Sequence, residues 1–140
     1  MFKYVTLGSN DLAASGRFYD AALAPLGIAR LVTKDDELGY GLPPKPGVKR
    51  RCWLYVLQPY NGQAASSGNG VDIAFEAPSR QAIDAFHAAA MAHGGTDEGA
   101  PGLRPHYMPT FYTAYVRDPD GNKINAMFDG PARSQDSYVL

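Results

Sequence analysis

Short apolar and β-branched runs alternate along this chain with two longer stretches of helical periodicity, and turn residues separate them. Residues 2–7 form a β-favouring run that leads into Gly8-Ser9-Asn10-Asp11, a turn that also offers N-cap side chains. From Leu12 the apolar residues Leu12, Phe18, Ala22 and Leu23 recur near helical spacing until Pro25-Leu26-Gly27 stops them, which predicts a helix of about three to four turns. Residues 28–32, 38–42 and 52–57 read as strands, with Pro43-Pro44-Lys45-Pro46-Gly47 as an irregular connection.

The pattern then restarts. Residues 60–70 are small, polar and glycine-rich, the composition of a flexible link. Residues 71–77 are strand-like, and Pro78-Ser79 caps a second helix over residues 81–93, which are alanine-rich with Ile83, Phe86, Ala90 and Met91 on helical spacing before Gly94-Gly95. A loop carrying Gly99, Pro101, Gly102, Pro105 and Pro109 is expected next, then strands at 111–116 and 123–128 around the tight turn Asp118-Pro119-Asp120-Gly121-Asn122. An offset of 68 residues lays the first strand and helix over the second, pairing Phe18 with Phe86, Ala22 with Ala90 and Gly27 with Gly95. Two βαβββ modules, about 1–61 and 70–130, are therefore expected to form one domain over 1–140 with a short C-terminal tail. The fold class is α+β, with a curved, largely antiparallel sheet around a cavity.

Composition narrows what such a domain does. Thirteen Lys and Arg against fourteen Asp and Glu leave a net charge of -1, without the basic field of a protein held by phosphate contacts, so no nucleic acid is expected. No run of about 18 apolar residues is present and the N-terminus lacks a basic segment followed by an apolar stretch, so no membrane partner and a cytoplasmic location are the expectation. One cysteine, Cys52, and three histidines, His87, His93 and His106, build no Cys/His zinc framework. Cys52 has no evident base nearby and reads as a packing residue, and neither a nucleophile elbow nor a phosphate-binding loop occurs.

Several segments in this order resemble the vicinal oxygen chelate superfamily, which holds glyoxalase I, extradiol dioxygenases, fosfomycin-resistance enzymes and bleomycin-resistance proteins. They are Tyr4-Val5-Thr6-Leu7-Gly8 with Asp11, Phe18-Tyr19-Asp20, Leu26-Gly27, Ala74-Phe75-Glu76-Ala77 with Phe86-His87, Pro101-Gly102-Leu103-Arg104-Pro105, and the stretch from Tyr115 through the 118–122 turn to Ile124. The resemblance implies a divalent metal held by His or Glu from matching strands of the two halves. At the implied positions this chain has Tyr4, Asp72 and Asn125, and nothing ligating near Trp53 to Tyr55. A neutral phenol and an amide are poor metal donors beside carboxylates, so no cofactor is expected, the alternative being a weakly bound divalent cation at Asp72 and Asn125.

Strand alternation puts Phe2, Tyr4 and Thr6 on one face, Asp72, Ala74 and Glu76 on another, and Lys123, Asn125 and Met127 on a third, so Tyr4, Asp72 and Asn125 are expected to converge on one concave surface. Trp53 and Tyr55 supply aromatic walls, and Arg104, His106 and Tyr107 lie in the loop leading into it. Lys49-Arg50-Arg51 reads as a solvated basic rim. The expected function is metal-independent binding of a small organic molecule. The alternative is a metal-dependent lyase or dioxygenase, or an enzyme using Tyr4 and Asp72 for proton transfer. A homodimer is implied by the resemblance, with residues 133–140 able to add to the contact.

Overall fold

The computed structural model describes residues 1–130, so the tail expected to extend a dimer contact lies outside the described residues. The first half runs β1 (Val5–Gly8), α1 (Leu12–Leu23), a 3₁₀ turn (Ala24–Leu26), β2 (Ala29–Thr33), β3 (Glu37–Gly41) and β4 (Cys52–Leu57). The second runs β5 (Ile73–Glu76), α2 (Arg80–Ala92), β6 (Thr96–Leu103), β7 (Tyr112–Arg117) and β8 (Lys123–Phe128). Two βαβββ modules result, as the repeat predicts. They build two four-stranded sheets, ordered β1-β4-β3-β2 and β5-β8-β7-β6, rather than one continuous sheet. Each holds one parallel pair, β1 with β4 and β5 with β8, and is otherwise antiparallel.

The repeat has a structural cause at its helix starts. Asp11 caps α1 by accepting from the Ala14 amide at 3.0 Å, and Ser79 caps α2 by accepting from the Ala82 amide at 3.1 Å. These caps, like the starts of β1 and β5, are 68 residues apart. The glycines that pair in sequence differ in their reason. Gly27 takes φ 76° after α1, whereas after α2 the left-handed residue is Gly94 at φ 90°. Gly95 is glycine because a Cβ there would sit 2.7 Å from Phe18 Cε2 and 2.8 Å from Ala90 O.

Residues 96–103, expected as a loop, form strand β6. Pro101 and two glycines within it argue against a central strand, but among the described residues β6 lies at the sheet edge and pairs only with β7. Its ladder with β7 shifts register on both sides of Gly99, which takes φ 158°, and that irregularity absorbs Pro101. The 60–70 link is also less free than its composition implies. Asn10 Oδ1 accepts from the Ala65 amide at 2.7 Å and Asn10 Nδ2 donates to Ala65 O at 3.2 Å, which pins the link over the end of β1.

The core explains how the modules meet. α1 and α2 pack against each other, each also covering one face of its own sheet. Phe18, Tyr19, Ala22 and Leu23 of α1 and Ile83, Phe86 and Ala90 of α2 are buried in one cluster with Leu54, Val56, Val116 and Ile124. The helices are therefore inner elements, and each sheet turns its other face outward. Among the described residues no helix is long and apolar enough to cross a membrane.

The 118–122 turn locks this arrangement. Asp118, 3% exposed, accepts from Tyr19 Oη at 2.7 Å, from Asn122 Nδ2 at 2.9 Å and from the Asp120 and Asn122 amides, both at 2.9 Å. Asn122 Nδ2 also donates to Gly8 O at 3.0 Å, and Asp120 accepts from the Asn10 amide at 2.8 Å and from Ser15 Oγ at 3.2 Å. A motif readable as a good hairpin turn is thus the joint between the halves. Burial holds the Asp118 carboxyl above its ordinary value, against the opposing pull of Asn122 and Tyr19.

Two substitutions test this packing. Gly95→Ala should lower stability by about 1–3 kcal/mol in urea unfolding, because Phe18 and a helix carbonyl must both move. Asp118→Ala leaves four donors facing a void and should cost at least about 2 kcal/mol. The folded state holds the Asp118 proton more tightly than the unfolded chain, so the wild-type contribution is greatest at low pH and is lost as pH rises through the raised folded value. The deficit of the variant should therefore be larger at about pH 4 than at about pH 7 in the same unfolding measurement.

Candidate functional site

Strand alternation decides which side chains the outward faces present. On β4, Leu54 and Val56 are buried toward α1 while Trp53, Tyr55 and Leu57 alternate with them toward the open face. The parallel register sets Thr6 beside Tyr55, so Tyr4 and Thr6 share that face, and the rings of Tyr4 and Tyr55 meet edge-on at 5.4 Å. Tyr4, Thr6, Glu37, Tyr55 and Leu57 line a hollow of about 280 Å³ there. At the outer edges, β1 and β5 border a larger groove of about 590 Å³, whose walls include Phe2, Tyr4, Leu42, Trp53, Phe75 and Pro78. Phe2 is 91% exposed and Trp53 43%.

The second sheet repeats the layout with different chemistry. Its register sets Ala74 beside Asn125, as Thr6 stands beside Tyr55, so Tyr55 is the counterpart of Asn125 as Tyr4 is of Asp72. Asn125, 2% exposed, donates from Nδ2 to Thr113 Oγ1 at 3.1 Å, and Thr113 donates to Ala126 O at 2.8 Å. Partial burial pushes the Asp72 carboxyl up, with the Lys123 charge opposing the shift. Lys123 Nζ lies 5.1 Å from the centre of the Tyr115 ring. Burial raises the Tyr115 phenol too, and Tyr107 and Asp72 raise it further.

Within one chain the expected residues fall into two groups. Tyr4, Trp53 and Tyr55 belong to the first sheet, Asp72 and Asn125 to the second. Among the described residues no hydrogen bond joins Tyr4 to Asp72 or Asn125, and Asn125 is engaged by Thr113 instead. Arg104 directs its guanidinium back to its own strand, donating to Ala100 O at 2.8 Å. His106 and Tyr107 form a ring pair at 4.2 Å, and Tyr107 continues to Phe111 at 5.3 Å. Thr113 is a site residue that sequence reasoning did not single out, and Tyr115 entered it as an aromatic residue of the penultimate strand without a place in the site. Their signal was the hairpin, since Asn122 and Asp118 fix the turn and hence the pairing of Tyr115 with Asn125.

The divalent metal that the family resemblance implies does not fit these residues. The four matching positions hold two phenols, one carboxylate and one amide, and that amide turns its nitrogen to Thr113. Among the described residues no group of three His, Cys, Asp or Glu side chains is placed to hold an ion. The pair of His87 Nε2 and Asp97 Oδ1, 2.8 Å apart, joins α2 to β6 and lowers the Asp97 carboxyl. What the open faces offer is a set of aromatic side chains with a few hydrogen-bonding groups, beside the hollow of about 280 Å³ and the groove of about 590 Å³.

Known proteins place this geometry in a family. A family model described as the Glyoxalase/Bleomycin resistance protein/Dioxygenase superfamily matches residues 2–126. Among solved structures, a glyoxalase/bleomycin resistance protein from Albidiferax ferrireducens T118 is 43% identical over 91% of this chain and 97% of its own, with a TM-score of 0.77. A glyoxalase-related enzyme from Fulvimarina pelagi is 22% identical over 96% and 97% of the two chains (TM-score 0.69), and a lactoylglutathione lyase from Agrobacterium tumefaciens 18% identical over 91% and 92% (TM-score 0.58); at such identities the likeness is one of fold. No curated protein matches the sequence. With its paired βαβββ modules, its 118–122 joint and a family match spanning both halves, the chain belongs to the glyoxalase/bleomycin resistance protein/dioxygenase superfamily.

Proposed function

We propose that this protein binds a small organic molecule against its outward sheet faces, without a tightly bound metal, as a homodimer in the cytoplasm. The observation that carries the reading is the donor set at the four matching strand positions, Tyr4, Tyr55, Asp72 and Asn125, which supports ring stacking and hydrogen bonding and not ligation of a transition metal. The relative from Albidiferax ferrireducens is called a glyoxalase/bleomycin resistance protein, a name compatible with either binding or catalysis.

Asp72 keeps a second reading in play. Its carboxyl is raised by partial burial, as a proton-transfer group would be, and one structural relative is a lactoylglutathione lyase. That reading is a lyase or dioxygenase using a divalent cation at Asp72 and Asn125, or Tyr4 and Asp72 directly.

The homodimer reading is supported by what the single chain leaves uncovered. Among the described residues β1 and β5 are edge strands with one unpaired side each, and the groove beside them is walled largely by apolar side chains. A second copy would pair or cover these edges and set the sheet of one protomer against that of its partner, turning open faces into an enclosed site.

Metal analysis of the purified protein should find no stoichiometric metal, and adding Mn²⁺, Ni²⁺, Zn²⁺ or Fe²⁺ should leave its melting temperature unchanged. Stoichiometric metal that disappears in Asp72→Ala would establish the second reading instead. In sedimentation experiments the wild type should run as a dimer and Phe2→Glu/Trp53→Glu as a folded monomer, since both residues wall the groove and are exposed in the single chain. A wild type that sediments as a monomer at all concentrations removes the dimer from the proposal.

A further inference from the structure

Among the described residues, one buried side-chain polar atom, on the helix-free side of the second sheet, has no partner. This atom is Asn125 Oδ1, which accepts no hydrogen bond from the described residues. Its neighbour fixes the orientation of the amide. Thr113 Oγ1 donates its single proton to Ala126 O, so toward Asn125 it can only accept, and the amide must present Nδ2 to it. Oδ1 is thereby turned away from Thr113, and an acceptor buried in that state is unfavourable until a donor reaches it.

The surroundings describe that donor. Ile124 and Ala126 point into the core, so Asn125 shares the helix-free face with Lys123 and Met127. Its lateral neighbours are Tyr115 on β7 and Ala74 on β5, the latter only a methyl group. Lys123 reaches toward the Tyr115 ring, and among the described residues the helices pack on the opposite face of this sheet. Asp72 precedes β5 in line with Ala74, close enough for its charge to act on both Lys123 and Tyr115. Tyr107 acts on Tyr115 as well and packs on Phe111. The face thus sets two oxygen acceptors, the Asn125 amide and the Asp72 carboxylate, among aromatic rings.

We infer that the ligand on the second sheet presents an N–H or O–H donor, carried on a flat ring, to Asn125 Oδ1, and that the site selects aromatic amides, amines or phenols over aromatic carboxylates. An aryl amide closes the unpaired acceptor while its ring lies against Tyr115 and Tyr107. An aryl carboxylate brings only acceptors toward an acceptor and a second carboxylate. The inference rests on the reading that the outward sheet faces bind a small organic molecule.

Benzamide and benzoate separate the two cases, each titrated into the ¹⁵N-labelled chain and followed by amide NMR. Benzamide should shift the backbone resonances of Ala74, Thr113, Tyr115 and Asn125 and the Asn125 side-chain amide, with a Kd at least about tenfold lower than that of benzoate. In Asn125→Leu, which removes the acceptor together with its own donor, the preference should fall to within about twofold. Equal binding of both probes at these residues, or preference for benzoate, overturns the inference and leaves the binding reading standing. Shifts from neither probe on either sheet face overturn both. The comparison of probes is made in the unmodified chain, so it decides the matter even where Asn125→Leu does not fold.

Discussion

Everything in this molecule hangs on the contact between α1 and α2. Two amphipathic helices buried against each other must place their sheets on opposite flanks, and the flanks then face solvent. Had the helices been outermost, the sheets would share an interior and the aromatic strand residues would be core. Instead the same alternation that buries Leu54 and Val56 exposes Tyr4 and Trp53. Apolar attraction between helices is non-directional, and the 118–122 turn adds direction through its hydrogen bonds to Gly8, Asn10, Ser15 and Tyr19.

The two halves have kept their frame and diverged in their surface chemistry. Tyr4 and Tyr55 on one sheet correspond to Asp72 and Asn125 on the other, so a backbone suited to symmetrical ligation carries aromatic stacking on one side and hydrogen-bond acceptors on the other. A ligand seated between such faces would meet unlike walls, which favours a molecule with an apolar end and a polar end.

Much of the fold was legible in the residues because its signals are local. Caps at Asp11 and Ser79, stops at Gly27 and Gly94 and the alternation on β4 and β8 each express a backbone preference within a few positions. β6 was not legible, because proline and glycine mark loops unless the strand is known to be an edge, and edge status belongs to the sheet. The convergence of Tyr4 with Asp72 and Asn125 was unreadable for a related reason: alternation tells which residues share a face, whereas which faces meet depends on helix docking. The link at 60–70 misled by composition, since its constraint comes from Asn10, far away in sequence.

That link also bears on how the chain reaches this structure. The joint brings together groups separated by 99 to 114 positions, so closing it carries the entropy cost of a long loop. The 60–70 link keeps the two halves at a mutual effective concentration in roughly the millimolar range. Because the entropy of closing a tether grows only with the logarithm of its length, a few residues added away from Ala65 would slow docking little. Loss of the Asn10 pair with Ala65 would matter more, since it frees a strap that the docked state holds in place.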